Sequence, residues 1–183
     1  MTGVQTCALP ICLPECTQAP HGTVPAEHAE HHHAGALHCP WIGCTAPGVL
    51  LRILDPRSGQ NLVVTHLHGL RDATGKHDTP ARHAQAEALV SQIERIWRQG
   101  EPLVVCGDLN LLPDSATFSV LGRLGLRDLV TGGGHTDTRT SHYAKEGRFA
   151  DYMLATPEVE IRSFEVVREP EVSDHRALLL ETR

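Results

Sequence analysis

Apolar residues are unevenly distributed along this chain. From Gly48 onward they fall into short runs separated by polar punctuation, while the stretch before it has almost no period. "VLLRILD" (Val49 to Asp55) reads as a strand. "PRSGQ" follows as a turn in which Gly59 supplies a permissive backbone. "NLVVTHLH" returns as a second strand, so the pair reads as a hairpin. "GLRDATGKHD" is a loop. Thr79 then caps a helix that has Pro80 at its first position, where the missing N–H is not needed. Ala86, Leu89, Val90, Ile93, Ile96 and Trp97 recur at helical spacing and give this helix one apolar face, with Gly100 as its stop. "PLVVC" is short and wholly apolar, the mark of a strand buried on both faces. A second helix covers about Ser115 to Leu124 and ends at Gly125. "TGGGHTDTRTSHYAKEG" is a long polar loop, and "FADYMLA", "VEIRSFEVV" and "RALLLE" are three further strands. Strands mixed with helices, without an internal repeat, predict an α/β layered fold.

Length and composition narrow the picture. The chain has 183 residues, enough for one domain with a real core. Its apolar content of 40 % and charged content of 21 % are ordinary for a globular protein. A formal net charge of −6 argues against a protein that wraps nucleic acid. No apolar run approaches the roughly 20 residues that span a bilayer. Cys7, Cys12, Cys16, Cys39 and Cys44 crowd the first quarter, and Cys106 stands alone in the patterned part. The expectation is reduced thiols in a cytoplasmic protein with no obligate protein partner. His38, Cys39 and Cys44 match no standard zinc spacing. The cluster His28, His31, His32 and His33 reads as a solvated segment. A histidine-rich zinc-binding protein would rest on that segment alone.

The chain divides at the sequence level into residues 1–11, 12–48 and 49–183. Met1 to Ile11 resembles the translation of a common sequencing-library adapter with GTG as its start, and is set aside from fold reasoning. Residues 12–48 are His- and Pro-rich and poorly patterned. Order begins with residues 49–183.

Chemistry gathers at strand ends, where a rigid sheet presents reactive groups. The stretches are "VVTHLHG", "VVCGDLN", "RFADYMLA" and "EVSDHRALLLE". Each alone has an ordinary structural explanation: a capping turn for Asp108, a core histidine for His66, a satisfied strand-end carboxylate for Asp151. Together and in this order, "GDLN" and "SDH" above all, they resemble the endonuclease/exonuclease/phosphatase superfamily over about Val49 to Glu181. The resemblance implies a partial DNase I-like four-layer α/β sandwich with mixed, largely antiparallel sheets. It also implies a Mg2+-dependent phosphoesterase, with Mn2+ as a substitute ion. Asp174 matches the metal-site aspartate and His175 the catalytic histidine. Asp151 matches the carboxylate that orients this histidine. Asp108 matches the group that aligns the water, and Asn110 the holder of a phosphate oxygen. His66 matches a phosphate donor or general acid. His68 is its alternative, because residues two apart on a strand share a face and periodicity does not choose between them. Arg139, Lys145 and Arg148 are candidates for a phosphate contact.

The match fails in the first half. The family's early strand ending in asparagine has no counterpart here. "ICLPEC" offers Glu15 as the main metal carboxylate, with Pro14 poorly suited to a central strand. The expectation is therefore an N-terminally truncated hydrolase with impaired activity and weak Mg2+ binding. Small phosphoesters, lipid head groups and nucleic acids all remain open as substrates. The competing reading is a non-catalytic binding domain that keeps the fold.

Overall fold

The computed structural model describes residues 4–7, 37–38, 48–54, 59–71 and 75–183. The elements are β1 (Val4–Cys7), β2 (Leu37–His38), β3 (Gly48–Leu54), β4 (Asn61–Leu67), α1 (Pro80–Ile96), β5 (Leu103–Asp108), α2 (Thr117–Gly122), β6 (Arg127–Asp128), α3 (Leu129–Gly132), β7 (Asp151–Ala155), β8 (Ile161–Val166) and β9 (Leu178–Thr182). They form two sheets. One has the order β2-β3-β4-β5-β7-β6, and the other β1-β9-β8. Among the described strands only β4 and β5 run parallel, joined by the α1 crossover; the other pairings are antiparallel. The expected mixed, largely antiparallel α/β sandwich is what the chain forms.

Two-residue periodicity explains the layering. On β4, Val63, Thr65 and Leu67 are buried on one face. Leu67 lines a cavity with Ala86 and Leu89 of α1 and Leu121 of α2. The helices therefore cover that face. His66 points the other way, into a cavity shared with Cys106, Met153 and Leu178 of β9. The register puts His66 opposite Cys106 and Cys106 opposite Met153, so this row faces the second sheet. β5 and β7, lying between helices and second sheet, are buried at every position. This is the condition that a continuous apolar run signals.

The second sheet is thin. Phe164 pairs with Leu180 and Val166 with Leu178 on its inner side. Its outer side carries Ser163 hydrogen-bonded to Glu181 (2.8 Å). Among the described residues the exposed large apolar side chains are Val49, Leu54, Ile161 and Val172, scattered rather than joined in one face.

Three local expectations are corrected. α1 ends at Ile96 rather than at Gly100. Trp97 turns extended, and its indole donates to the Glu101 carbonyl (2.8 Å). α2 is shorter than expected, and its start is held by Asp78, which accepts from the Ala116 N–H (2.8 Å). The loop read as polar is partly interior: Thr138, Arg139 and Thr140 are buried. Within Met1 to Ile11, the backbone of Val4–Cys7 pairs with β9.

Candidate active site

The parallel pair β4 and β5 places its carboxyl ends side by side, and the side chains there share one face. His68 follows His66 by two residues, and Asp108 follows Cys106 by two. Asp151, the first residue of β7, lies directly across from Asp108 in the register. The second sheet supplies the remaining groups through the turn before β9. That turn is zipped to the loop before β7. Arg139 and His175 form a β-bridge, the Arg176 N–H donates to the Thr138 carbonyl (2.9 Å), and the Thr140 N–H donates to the Asp174 carbonyl (3.2 Å). The Arg176 side chain, itself buried, holds Asp137 of the same loop (2.8 Å). Groups distant in sequence are fixed at one point by backbone pairing.

The centre is His175. Its Nδ1 lies 2.8 Å from Asp151 Oδ2. Its Nε2 lies 2.5 Å from Arg139 NH1. A guanidinium can only donate, so Nε2 must accept, and the ring proton sits on Nδ1 and is donated to Asp151. Asp108 Oδ2 and Asp174 Oδ1 each stand 3.9 Å from Nε2. Asp108, Asp151 and His175 offer ligand atoms all within 4.8 Å of one another. Arg139 bridges the acids, with NH1 donating to Asp174 Oδ2 (2.7 Å) and NH2 3.9 Å from Asp108 Oδ2. Its guanidinium also lies over the Tyr143 ring (4.4 Å).

Burial sets the electrostatics. The Asp151 carboxyl is pushed up to about 6 by loss of water, against the opposing pull of the His175 hydrogen bond. Its backbone N–H and that of Ala150 donate to Thr138 Oγ1, while Oδ1 is buried without a partner. His66 is held below its usual range by burial, with repulsion from His68 adding to it. Lys76 is lowered to about 8 by burial and by the nearby Arg139 charge. Lys76 donates to the Gly147 carbonyl (2.8 Å) and to that of Phe149, bracing the loop that enters β7.

The structure thus gathers Asp108, Asp151, Asp174 and His175. Asn110 sits beside them in left-handed backbone (φ 53°), its N–H accepted by Asp108 and its amide donating to the Gly69 carbonyl (3.3 Å). His68 Nε2 is 3.7 Å from Asp108 Oδ2. His66 lines the inter-sheet cavity with Asp151, its Nε2 buried and without a hydrogen-bond partner. Glu15 and the Cys39, Cys44 pair lie outside the described residues. Of the basic candidates, Arg139 reaches the acids, Lys145 is exposed, and Arg148 donates to the Arg139 carbonyl (3.1 Å) as a loop brace. Arg82 belongs to none of the motifs and still shapes the site. It is buried on α1 and donates to the Asn110 carbonyl (2.7 Å), fixing the loop after β5. Its spacing to Ala86, Leu89 and Ile93 places it on the buried face of α1, and that was the available signal.

A divalent cation can be tested against this donor set. Asp174 and Asp108 provide hard carboxylate oxygens, and Asp174 remains about half exposed at the mouth (47 %). Arg139 already lies against both acids as a positive charge. Asp108, Asp151 and His175 form a group whose ligand atoms suit a metal ion, with Asp174 a further carboxylate at the mouth.

The profile of the Endonuclease/Exonuclease/phosphatase family matches residues 11–175. Among curated proteins compared by sequence, none matches. Several solved structures share the fold. An endonuclease/exonuclease/phosphatase from Bacteroides vulgatus superposes with a TM-score of 0.61 at 20 % identity, covering 76 % of this chain and 56 % of that one. A mannosyl-6-phosphatase from Bacteroides thetaiotaomicron gives 0.54 at 15 % identity, covering 75 % and 57 %. An AP endonuclease from Archaeoglobus fulgidus gives 0.54 at 16 % identity, covering 72 % and 63 %. The chain thus spans about half to two thirds of the length of these relatives. With the match running through the strand-end acids and up to His175, the chain belongs to the endonuclease/exonuclease/phosphatase family.

Proposed function

We propose that this chain carries the histidine-bearing half of a Mg2+-dependent phosphoesterase site. The observation that supports it is the His175–Asp151 pair, with Asp108 and Asp174 converging on Nε2 of that histidine. Asp108 and Asp151 are buried, and burying acids costs stability unless their charge is compensated, so packing alone is a poor account of this convergence. Mg2+, with Mn2+ as a substitute, would be held by Asp174, with Glu15 the candidate further carboxylate from the sequence motif, and would supply a Lewis acid for the phosphoryl oxygens.

The chain's own groups do the rest. Asp151 fixes the His175 ring with its proton on Nδ1, leaving Nε2 to take a proton or to contact the phosphoryl group. Asp108, buried next to Nε2, aligns the attacking water. Asn110 is held in place by Asp108 and Gly69 and turns its amide to a phosphate oxygen. His66 serves as phosphate donor or general acid. His68, whose Nε2 lies 3.7 Å from Asp108, is the alternative for that role. The substrate is a phosphoester. The phosphatase and the endonuclease among the structural relatives span both small-molecule and nucleic-acid classes, and the chain's net charge of −6 favours the smaller one.

The test is hydrolysis of bis-p-nitrophenyl phosphate by the 183-residue chain, with Mg2+ and with EDTA, alongside a Mn2+ titration read by electron paramagnetic resonance. We expect slow hydrolysis that needs Mg2+ and falls at least about a hundredfold in His175→Ala and in Asp108→Asn. Hydrolysis indifferent to EDTA and to both substitutions, or no Mn2+ binding at millimolar ion, would overturn the assignment.

A further inference from the structure

Arg139 does something that the roles above leave out. It is 3 % exposed, and its NH1 serves two acceptors at once, Asp174 Oδ2 at 2.7 Å and His175 Nε2 at 2.5 Å. The second contact matters chemically. His175 has two ring nitrogens; Nδ1 is committed to Asp151, and the lone pair of Nε2 is occupied by a donor that cannot give it up without moving. In this arrangement the histidine cannot accept a proton from anything else. The first contact matters equally. The carboxylate matched to the metal already holds a positive charge.

The guanidinium is also incompletely satisfied. Its Nε is buried with no acceptor, although buried arginines normally engage their donors fully. Its flat face lies on Tyr143, and Lys76 Nζ approaches the same ring at 5.2 Å. An aromatic ring of this kind gives the cation a second resting surface beside the acids. Arg139 is thus held by groups that a divalent ion would claim.

We propose that Arg139 is a resident counter-cation of the site, which a divalent ion must displace from Asp174 before Nε2 of His175 is free. The inference rests on the phosphoesterase reading, because it takes Asp174 as a carboxylate for the ion. It makes ion binding and histidine availability one event. The two cations repel each other and compete for the same oxygens, so removing Arg139 strengthens ion binding while a merely structural arginine would weaken it.

The experiment is Mn2+ titration of the metal-free 183-residue chain, followed by electron paramagnetic resonance, for wild type, Arg139→Gln and Arg139→Lys. Circular dichroism on each protein checks that the fold is kept. Arg139→Gln is expected to bind Mn2+ about tenfold more tightly, the worth of one charge-assisted hydrogen bond. Arg139→Lys keeps the charge but has a single ammonium in place of the fork, and its affinity should fall between the other two. A second readout is the 15N chemical shift of His175: in wild type, saturating Mg2+ should move Nε2, and Arg139→Gln should show the moved value without Mg2+. Unchanged or weaker Mn2+ binding in folded Arg139→Gln overturns the proposal and leaves the phosphoesterase reading standing. No Mn2+ binding by any of the three overturns both.

Discussion

Asp151 is a residue that stability alone would not select. Its carboxyl has an ordinary value of 3.8, is pushed up to about 6 by burial, and keeps one oxygen without a partner. The sign of the effect follows. Between about pH 4 and pH 6 the folded chain holds this proton while the unfolded chain has lost it, so stability from this group falls as pH rises through that window and stays lower above it. Asp151→Asn has no proton to lose, and its amide oxygen can still accept from His175. In EDTA the variant should therefore be more stable than wild type at pH 7.5, by about 3 kcal/mol, with the gap narrowing to about 1 kcal/mol by pH 4.5. Urea unfolding at both pH values reads this. His66, whose pKa is lowered, acts in the opposite direction as pH falls, and it cancels in the difference between the two proteins. A variant less stable than wild type at pH 7.5 would mean that the His175 hydrogen bond outweighs the burial.

At the level of elements, the site depends on two backbones that touch. The Gly69 N–H donates to the Asp108 carbonyl at 2.6 Å, and a Cβ on Gly69 would lie 2.1 Å from the Leu109 carbonyl oxygen. A Cβ on Gly107, which has φ 132°, would lie 2.1 Å from the Leu67 carbonyl oxygen. Both obstacles are main chain of the neighbouring segment, so no side-chain rearrangement relieves them. Gly69→Ala and Gly107→Ala should each cost about 3 kcal/mol or more and lower the melting temperature by roughly 10 °C. Gly132, with nothing near its Cβ, is the control that should melt as wild type when changed to Ala. These contacts also mark where sequence reading stops. The hairpin, the α1 start at Thr79, the buried run ending in "GDLN" and the final strands were legible, because periodicity and capping are local. So was the convergence of Asp108, Asp151, Asp174 and His175, through the family's order of motifs. The position of Arg139, the capping of α2 by Asp78 and the tie from Arg82 to Asn110 were not. Each joins segments whose approach is set by sheet pairing, and no local pattern encodes it. The end of α1 was missed for a similar reason: the Trp97 indole finds the Glu101 carbonyl and pulls the chain out of the helix before Gly100.

At the scale of the molecule, the six-stranded sheet carries the helices on one face, and the second sheet contributes the turn that carries Asp174 and His175. One edge of β9 is covered by β8, the other by Val4–Cys7. This second pairing is backbone to backbone, Val4 opposite Glu181 through Cys7 opposite Leu178, and such pairing asks only for an extended segment. An uncovered strand edge accepts almost any chain, including another copy. That makes the contribution of the first residues separable from the fold itself. Deleting residues 1–11 should leave amide protection in β3, β4, β5 and β7 unchanged. The amides of Leu178–Glu181 that face the vacated edge should exchange faster by at least about tenfold, as expected for an edge lost without global unfolding. The same deletion should raise self-association with protein concentration, which light scattering measures directly. Loss of protection across the six-stranded sheet would contradict this separation and would make the first residues an integral part of the core.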